Sequence, residues 1–196
     1  MSSKMTRRRG IPTLAWMALI AALTGAGALI EGCAPRAAWA QVEVFVTNYL
    51  GDSVTTYSRT TRGFRVPLRI IGGPATGLLA PAGIAVDTVN NEILVANINS
   101  IAVYSLAASG SDAPLRTISG DATGLAQPIG LAVDTMRNEI LVANASSITV
   151  YGRTASGNVA PLRTIRSADE NKVSLRFGKT QALVYDPIRE QILVPN

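Results

Sequence analysis

The sequence predicts an all-β fold, a β-propeller of four-stranded blades with a 47-residue repeat, and two observations carry that expectation. The first is a tandem duplication: residues 83–118 (GIAVDTVNNEILVANINSIAVYSLAASGSDAPLRTI) align without a gap to residues 130–165, with 25 identities in 36 positions. The second is the content of one unit, four short runs of strand composition separated by turn residues, and a repeat of about 40 to 50 residues with that content is the signature of a propeller blade. A solenoid of parallel strands is the weaker alternative, because its units are usually shorter and lack hairpin turns.

Taken in order, GIAVD supplies the first strand of a blade, EILVAN the second, SIAVY the third and PLRTI the fourth. Asn90-Asn91 in the DTVNNE turn is a residue type that tolerates positive φ, as a tight hairpin between the first two strands requires. AASGSDAP, with Gly110 and its serines, separates the third strand from the fourth. TGLLAPAG and TGLAQPIG join one unit to the next, with Pro81 and Pro128 withholding a ladder hydrogen bond just before the new strand. EILVA is apolar at consecutive positions, so both faces of that strand should be buried. No helix of useful length is expected after residue 40.

The unit extends past both copies. Tyr57, Pro67, Leu68 and Arg69 stand 47 residues before Tyr104, Pro114, Leu115 and Arg116, and VFVTN (44–48) matches ILVAN (93–97) after two extra residues near Gly51-Asp52. LVYD (183–186) and QILV (191–194) match LAVD and EILV of the preceding unit at a displacement of 52, so five residues are gained in the polar run around Ser167 to Lys172. The domain over residues 41–196 therefore divides into a half-blade at 43–71, counted as third and fourth strands, blades at 83–118 and 130–165, and a half-blade of first and second strands at 181–196. That is about three blades, whereas closed propellers have about four to eight.

The chain of 196 residues has a formal charge of +5, yet residues 1–40 hold five basic side chains (Lys4, Arg7, Arg8, Arg9, Arg36) and one acid (Glu31). Residues 41–196 carry 13 basic against 12 acidic groups, a net +1, and without clustered excess charge a nucleic-acid partner has no warrant. There is no His, and the single Cys is Cys33. Those counts exclude a Ser-His-Asp or Cys-His nucleophile, a His-ligated zinc or haem, and an intrachain disulfide.

Residues 1–40 read as an export signal or membrane anchor. A basic start is followed by an uncharged apolar stretch over 13–30 (TLAWMALIAALTGAGALI) and then by Ala38-Trp39-Ala40, an A-x-A site that places cleavage between Ala40 and Gln41. Gly32-Cys33 resembles the lipobox of bacterial lipoproteins, with Cys33 as the lipidated residue, although Glu31 puts a charge where that motif has a small or apolar residue. Residues 13–30 left uncut could just span a hydrocarbon core and attach the chain to a membrane. All three routes put the body outside the cytoplasm, periplasmic or secreted.

The order GIAVD, polar turn, EILVAN, SIxVY, APLRTI and TGLxxPxG resembles the NHL-type β-propeller repeat of secreted bacterial proteins, over about residues 43–196. The resemblance implies a platform for protein or polymer ligands, and it implies that Asp87, Asp134 and Asp186 are structural, their carboxylates accepting backbone N–H groups of the turn. Asn48, Asn97 and Asn144 close the second strand and read the same way, while Tyr57, Tyr104 and Tyr151 read as packing between blades. Arg69, Arg116 and Arg163 fall in the outermost strand, where a long charged side chain can cover an edge. Asp52, and Asp169, Glu170, Asn171 and Lys172, break the pattern as insertions, and insertions fall on loops that can carry function.

The leading functional expectation is a non-catalytic extracytoplasmic binding or scaffold module for a protein or peptide partner, with no catalytic residue, cofactor or metal. No Trp follows Trp39, so the body lacks the stacking platform favoured for sugars. The alternative is a metal-dependent lactonase-like hydrolase of the gluconolactonase type, for which Glu43, Glu92, Glu139, Glu170 and Glu190 are the only glutamates of the body. A third reading is a truncated propeller fragment without independent function. The two half-blades also suggest a homodimer in which each completes the other, giving one six-bladed ring.

Overall fold

A computed structural model describes residues 43–166 and 182–195, all within one compact unit, Trp39–Asn196. The segment expected to be an export signal or anchor, with residues 13–30, Cys33, Ala40 and Gln41, lies outside the described residues, as do Asp169, Glu170, Asn171 and Lys172. No helix among the described residues is long and apolar enough to cross a membrane.

The fold is all-β, a partial β-propeller of four antiparallel sheets taken in chain order. The first holds β1 (Glu43–Asn48), β2 (Ser53–Ser58) and β3 (Arg69–Gly72). The second holds β4 (Ile84–Asp87), β5 (Glu92–Ala96), β6 (Ser100–Ser105) and β7 (Arg116–Ser119), and the third repeats it as β8 (Gly130–Asp134), β9 (Glu139–Ala143), β10 (Ile148–Gly152) and β11 (Arg163–Ile165). The fourth pairs β12 (Val184–Asp186) with β13 (Gln191–Leu193). Every neighbouring pair within a sheet is antiparallel and consecutive in sequence, which removes the parallel solenoid. Helical geometry among the described residues is confined to three 3-10 turns, Tyr49–Gly51, Pro74–Thr76 and Asp121–Thr123.

The first sheet differs from the expected half-blade. Val44 stands opposite Tyr57 as Ile93 stands opposite Tyr104 and Ile140 opposite Tyr151, so β1 is a second strand and the sheet carries second, third and fourth strands. β13 is a second strand as well, with Ile192 opposite Tyr185 as Ile93 is opposite Val86 and Ile140 opposite Val133 in the equivalent hairpins. The first sheet thus lacks a first strand, and the fourth sheet has first and second strands among the described residues.

The core lies between the sheets. Val54 and Ile71 of the first sheet pack with Ile93, Val95, Ala102 and Tyr104 of the second. Leu94, Ala96, Ile101 and Val103 face the other way, onto Leu131, Ile140, Val142 and Tyr151 of the third, and Leu141, Ala143 and Val150 meet Leu183 of the fourth. The consecutive apolar residues of EILVA thus divide by the period of two between both faces of the strand, and each fully buried Ile, Leu or Val contributes about 1.5 to 3 kcal/mol. Where the inner strands crowd together, a side chain has no room: a Cβ on Gly83 would lie 2.0 Å from the Ile129 carbonyl oxygen, and one on Gly130 would lie 2.8 Å from the Leu183 nitrogen.

Backbone bonds stitch the outer rim. Gly110 N–H donates to Ile70 O (2.6 Å) and Gly72 N–H to Gly110 O (2.8 Å), and Gly157 repeats this with Thr117 O (2.7 Å) and Ser119 N–H (3.1 Å). Both glycines sit at positive φ, 61° and 74°, in the loop between third and fourth strands. The next residue completes the stitch, Ser111 Oγ accepting from Ala75 N–H (3.3 Å) and Asn158 Oδ1 from Ala122 N–H (2.8 Å).

Candidate functional site

Each inter-blade linker is held by the side chains that the repeat supplies. Thr76 Oγ1 donates to Gly73 O (2.7 Å) and accepts from Leu78 N–H (3.2 Å), and Tyr104 OH donates to Thr76 O (2.6 Å). Asn97 clamps the far side: its Oδ1 accepts from Leu79 N–H (3.3 Å) and its Nδ2 donates to Gly77 O (3.2 Å). Thr123 and Tyr151 repeat the arrangement, with Tyr151 OH on Thr123 O (2.7 Å), and Asn144 repeats the acceptor half of the clamp: its Oδ1 accepts from Ala126 N–H (3.0 Å), while its Nδ2 donates to Thr149 Oγ1 (3.0 Å). The asparagines and tyrosines of the second and third units are therefore structural fasteners. Burial pushes Tyr104 up to about 12 and raises Tyr151 as well.

Fixed in this way, each linker forces the residue before its proline into the left-handed region, Ala80 at φ 48° and Gln127 at φ 50°. A side-chain-bearing residue there costs about 1 to 2 kcal/mol, and such strain persists only where neighbours over-determine it. At Ala80 the neighbour is Asp52, itself at φ 41°, whose Oδ1 accepts the Ala80 N–H at 2.7 Å. The insertion residue Asp52 thus ties the turn between β1 and β2 to the following linker.

The two strained linkers and two strand turns enclose a cleft of about 200 Å³, lined by Tyr49, Ala82, Ile98, Pro128 and Ile129, with Ala80 and Gln127 also in its wall. Its lining has no charged side chain, and Tyr49 and Ile98 are 58% and 46% exposed on its rim. In the sequence Pro128 signals only a strand break, and Tyr49 and Ile98 carry no motif; their common feature is position, since turns between second and third strands share one end of the blades with the linkers.

The repeated aspartates are turn fasteners. Asp87 Oδ1 accepts from Val89 and Asn90 N–H (3.0 Å each), Asp134 Oδ1 from Met136 (2.9 Å) and Arg137 (3.0 Å), and Asp186 Oδ1 from Ile188 (2.9 Å) and Arg189 (3.2 Å). Burial pushes Asp134 up, and the bonds from Arg137, Tyr185 and Met136 outweigh it and hold the carboxyl below its ordinary range. Asp186 is lowered by the Arg189 side chain and by the same two turn amides.

The repeated arginines differ from their expected role. They do not cover an edge; each reaches across the third strand to the glutamate that opens the second, Arg69 to Glu43 (2.6 Å), Arg116 to Glu92 (2.5 and 2.8 Å) and Arg163 to Glu139. Three of the five glutamates considered for a lactonase site are thereby engaged, a fourth, Glu190, binds Arg137, and Glu170 lies outside the described residues. No group of three or more Cys, His, Asp or Glu that could hold a metal ion occurs among the described residues.

No family model and no curated protein matches the sequence. Solved structures do match in shape: the hydrazine synthase of Kuenenia stuttgartiensis, with a TM-score of 0.56, 17% identity, and coverage of 78% of this chain and 38% of that one. A chain of a nidogen/laminin complex matches with a TM-score of 0.55, 17% identity, and coverage of 79% and 52% respectively. The chain thus spans about half or less of the length of these neighbours. Both contain β-propellers, and at this identity the likeness is one of fold alone: the described sheets are blades of a β-propeller.

Proposed function

We propose that this chain is a non-catalytic, extracytoplasmic propeller module of NHL type that holds an extended segment of a protein partner in the cleft between Tyr49, Ile98 and Pro128. The observation that carries the reading is the cleft itself, apolar, free of charged side chains and walled by two strained linkers. Its volume of about 200 Å³ is below the range of roughly 300 to 1,000 Å³ typical of small-molecule sites, and it suits one or two apolar side chains of a peptide. The paired state of Glu43, Glu92 and Glu139 gives the hydrolase reading no support.

Selection of a random peptide library on the purified chain tests this. Enriched peptides should share an apolar anchor and bind about tenfold more weakly to Ile98→Asp, which places a charge in the apolar wall. Failure to enrich any sequence, or equal binding by Ile98→Asp, would overturn it.

A further inference from the structure

The opposite end of the blades carries a different kind of surface. The loop between third and fourth strands starts beside the turn between first and second strands, Leu106 N–H donating to Asn91 O and Arg153 N–H to Asn138 O, both at 2.8 Å. Those two kinds of connection therefore share one end in every blade. The loop of the first sheet, residues 59–68 (RTTRGFRVPL), departs from its two equivalents. Phe64 stands where Ser111 and Asn158 supply a hydrogen-bond acceptor to the neighbouring linker, and Arg65 stands where Asp112 closes its own turn by accepting from Ser109 N–H (3.0 Å). Neither replacement can do the job of the residue it replaces. Gly63 keeps the left-handed bend at φ 68°, like Gly110 and Gly157.

What the loop has in exchange is apolar surface and positive charge. Phe64 is fully exposed and Val66 is 88% exposed, flanked by Arg62 and Arg65, for which no acidic partner occurs among the described residues. The hairpin tips at the same end are apolar at one repeated position, Val89, Met136 and Ile188, at 63%, 70% and 89% exposure. Met136 and Ile188 are each followed by an arginine, as Phe64 is. Arg137 and Arg189 are engaged by Glu190 and Asp186, so the uncompensated charge is concentrated at Arg62 and Arg65.

We propose that this end of the module docks on an anionic lipid surface, with Phe64 and Val66 entering the interface and Arg62 and Arg65 binding headgroup phosphates. The shape decides between occupants. The apolar groups stand on separate loop and hairpin tips, and the depression between two of those hairpins is lined by the polar Asn90, Asn138, Arg153 and Thr154, so a rigid protein surface would need a matching row of pits for the tips, whereas a bilayer deforms around each one. Arginine beside buried apolar tips is the pairing that interfacial docking uses, each cation near an anionic surface adding attraction that salt screens. The cleft plays no part, so failure here and failure of the peptide reading are distinguishable.

The test is partitioning of the full chain onto vesicles of phosphatidylcholine alone and with phosphatidylglycerol added, at low and high salt. The wild type should partition more strongly onto the anionic vesicles and lose that excess in high salt. Arg62→Gln with Arg65→Gln should lower the excess roughly tenfold or more, and Phe64→Ser should lower it about tenfold, with all variants keeping the wild-type circular dichroism. Attachment through residues 13–30 or Cys33, with Lys4 and Arg7 to Arg9 beside them also drawn to anionic lipid, would be common to all variants, so the loop is read from the difference between variant and wild type. Equal partitioning of variants and wild type overturns the proposal. So does displacement by polyglutamate that Phe64→Ser leaves unaltered, which would assign the loop to an acidic protein instead.

Discussion

Arg153 of the third sheet places its Nε 2.7 Å from Oδ2 of Asp87 in the second, with the two side chains 6% and 0% exposed. The guanidinium also donates to Asn90 Oδ1 (2.7 Å) and Asn138 Oδ1 (3.2 Å), so one side chain ties two successive hairpin turns together. The equivalent residue 47 positions earlier is Leu106, which belongs to the core between first and second sheets. One interface thus uses an ion pair where the other uses an apolar contact.

Copying the apolar version is therefore costly. Arg153→Leu leaves the Asp87 carboxylate buried with its turn amides but no cation, and should destabilise by about 3 kcal/mol. Asp87→Asn in the same chain keeps an acceptor for the turn and removes the charge, so the double variant should recover much of the loss. Denaturant unfolding of the four proteins of this cycle measures it, and additive losses would show that the pair carries no coupling.

Gly83→Ala tests the close approach of the inner strands. The added Cβ would stand 2.0 Å from a backbone oxygen, and backbone cannot swing aside as a side chain end can. The expected loss is at least about 2 kcal/mol. Gly152→Ala, where nothing lies within 4 Å of the added atom, is the control and should be close to neutral.

The buried tyrosines predict an alkaline limit. Tyr104 is pushed up to about 12 in the folded chain against an ordinary 10 in the unfolded one, and Tyr151 is raised in the same sense. The folded state therefore keeps its protons where the unfolded state has lost them, and stability present below pH 10 falls as pH rises toward 12. Melting temperature should drop across that window. Tyr104→Phe with Tyr151→Phe should flatten the drop, while lowering stability at neutral pH by about 1 to 2 kcal/mol per site because Thr76 O and Thr123 O lose their buried donor.

The blades and their turns were legible because repetition multiplies a weak local signal: three aspartates at one turn position mark a fastener more surely than one does. Pairings between units were not legible. Arg153 breaks the repeat against Leu106, and that was a usable signal, yet its partner Asp87 is 66 residues away and known only once blades are stacked. Arg116 and Glu92 lie two strands apart on one sheet face, a relation that needs the register rather than the composition. The cleft was hidden for a third reason, since the left-handed conformations of Ala80 and Gln127 come from linker constraints and not from residue preference.

The glutamate–arginine pairs lead to the last prediction. Hard cations need several oxygens free to converge, and Glu43, Glu92 and Glu139 each spend theirs on an arginine of the same sheet, with side chains only 12%, 12% and 11% exposed. A cation would have to displace a guanidinium and leave it half-buried and unpaired, a cost of several kcal/mol that one carboxylate cannot offset. Melting temperature should therefore be the same with chelator, without it, and with added calcium. Arg116→Gln, by contrast, should lower stability by about 1 to 2 kcal/mol, because Glu92 and the Arg153 carbonyl both lose a charged donor. A calcium-dependent rise in melting temperature of the wild type would mean that the carboxylates exchange partners, and the hydrolase reading would then displace the binding one.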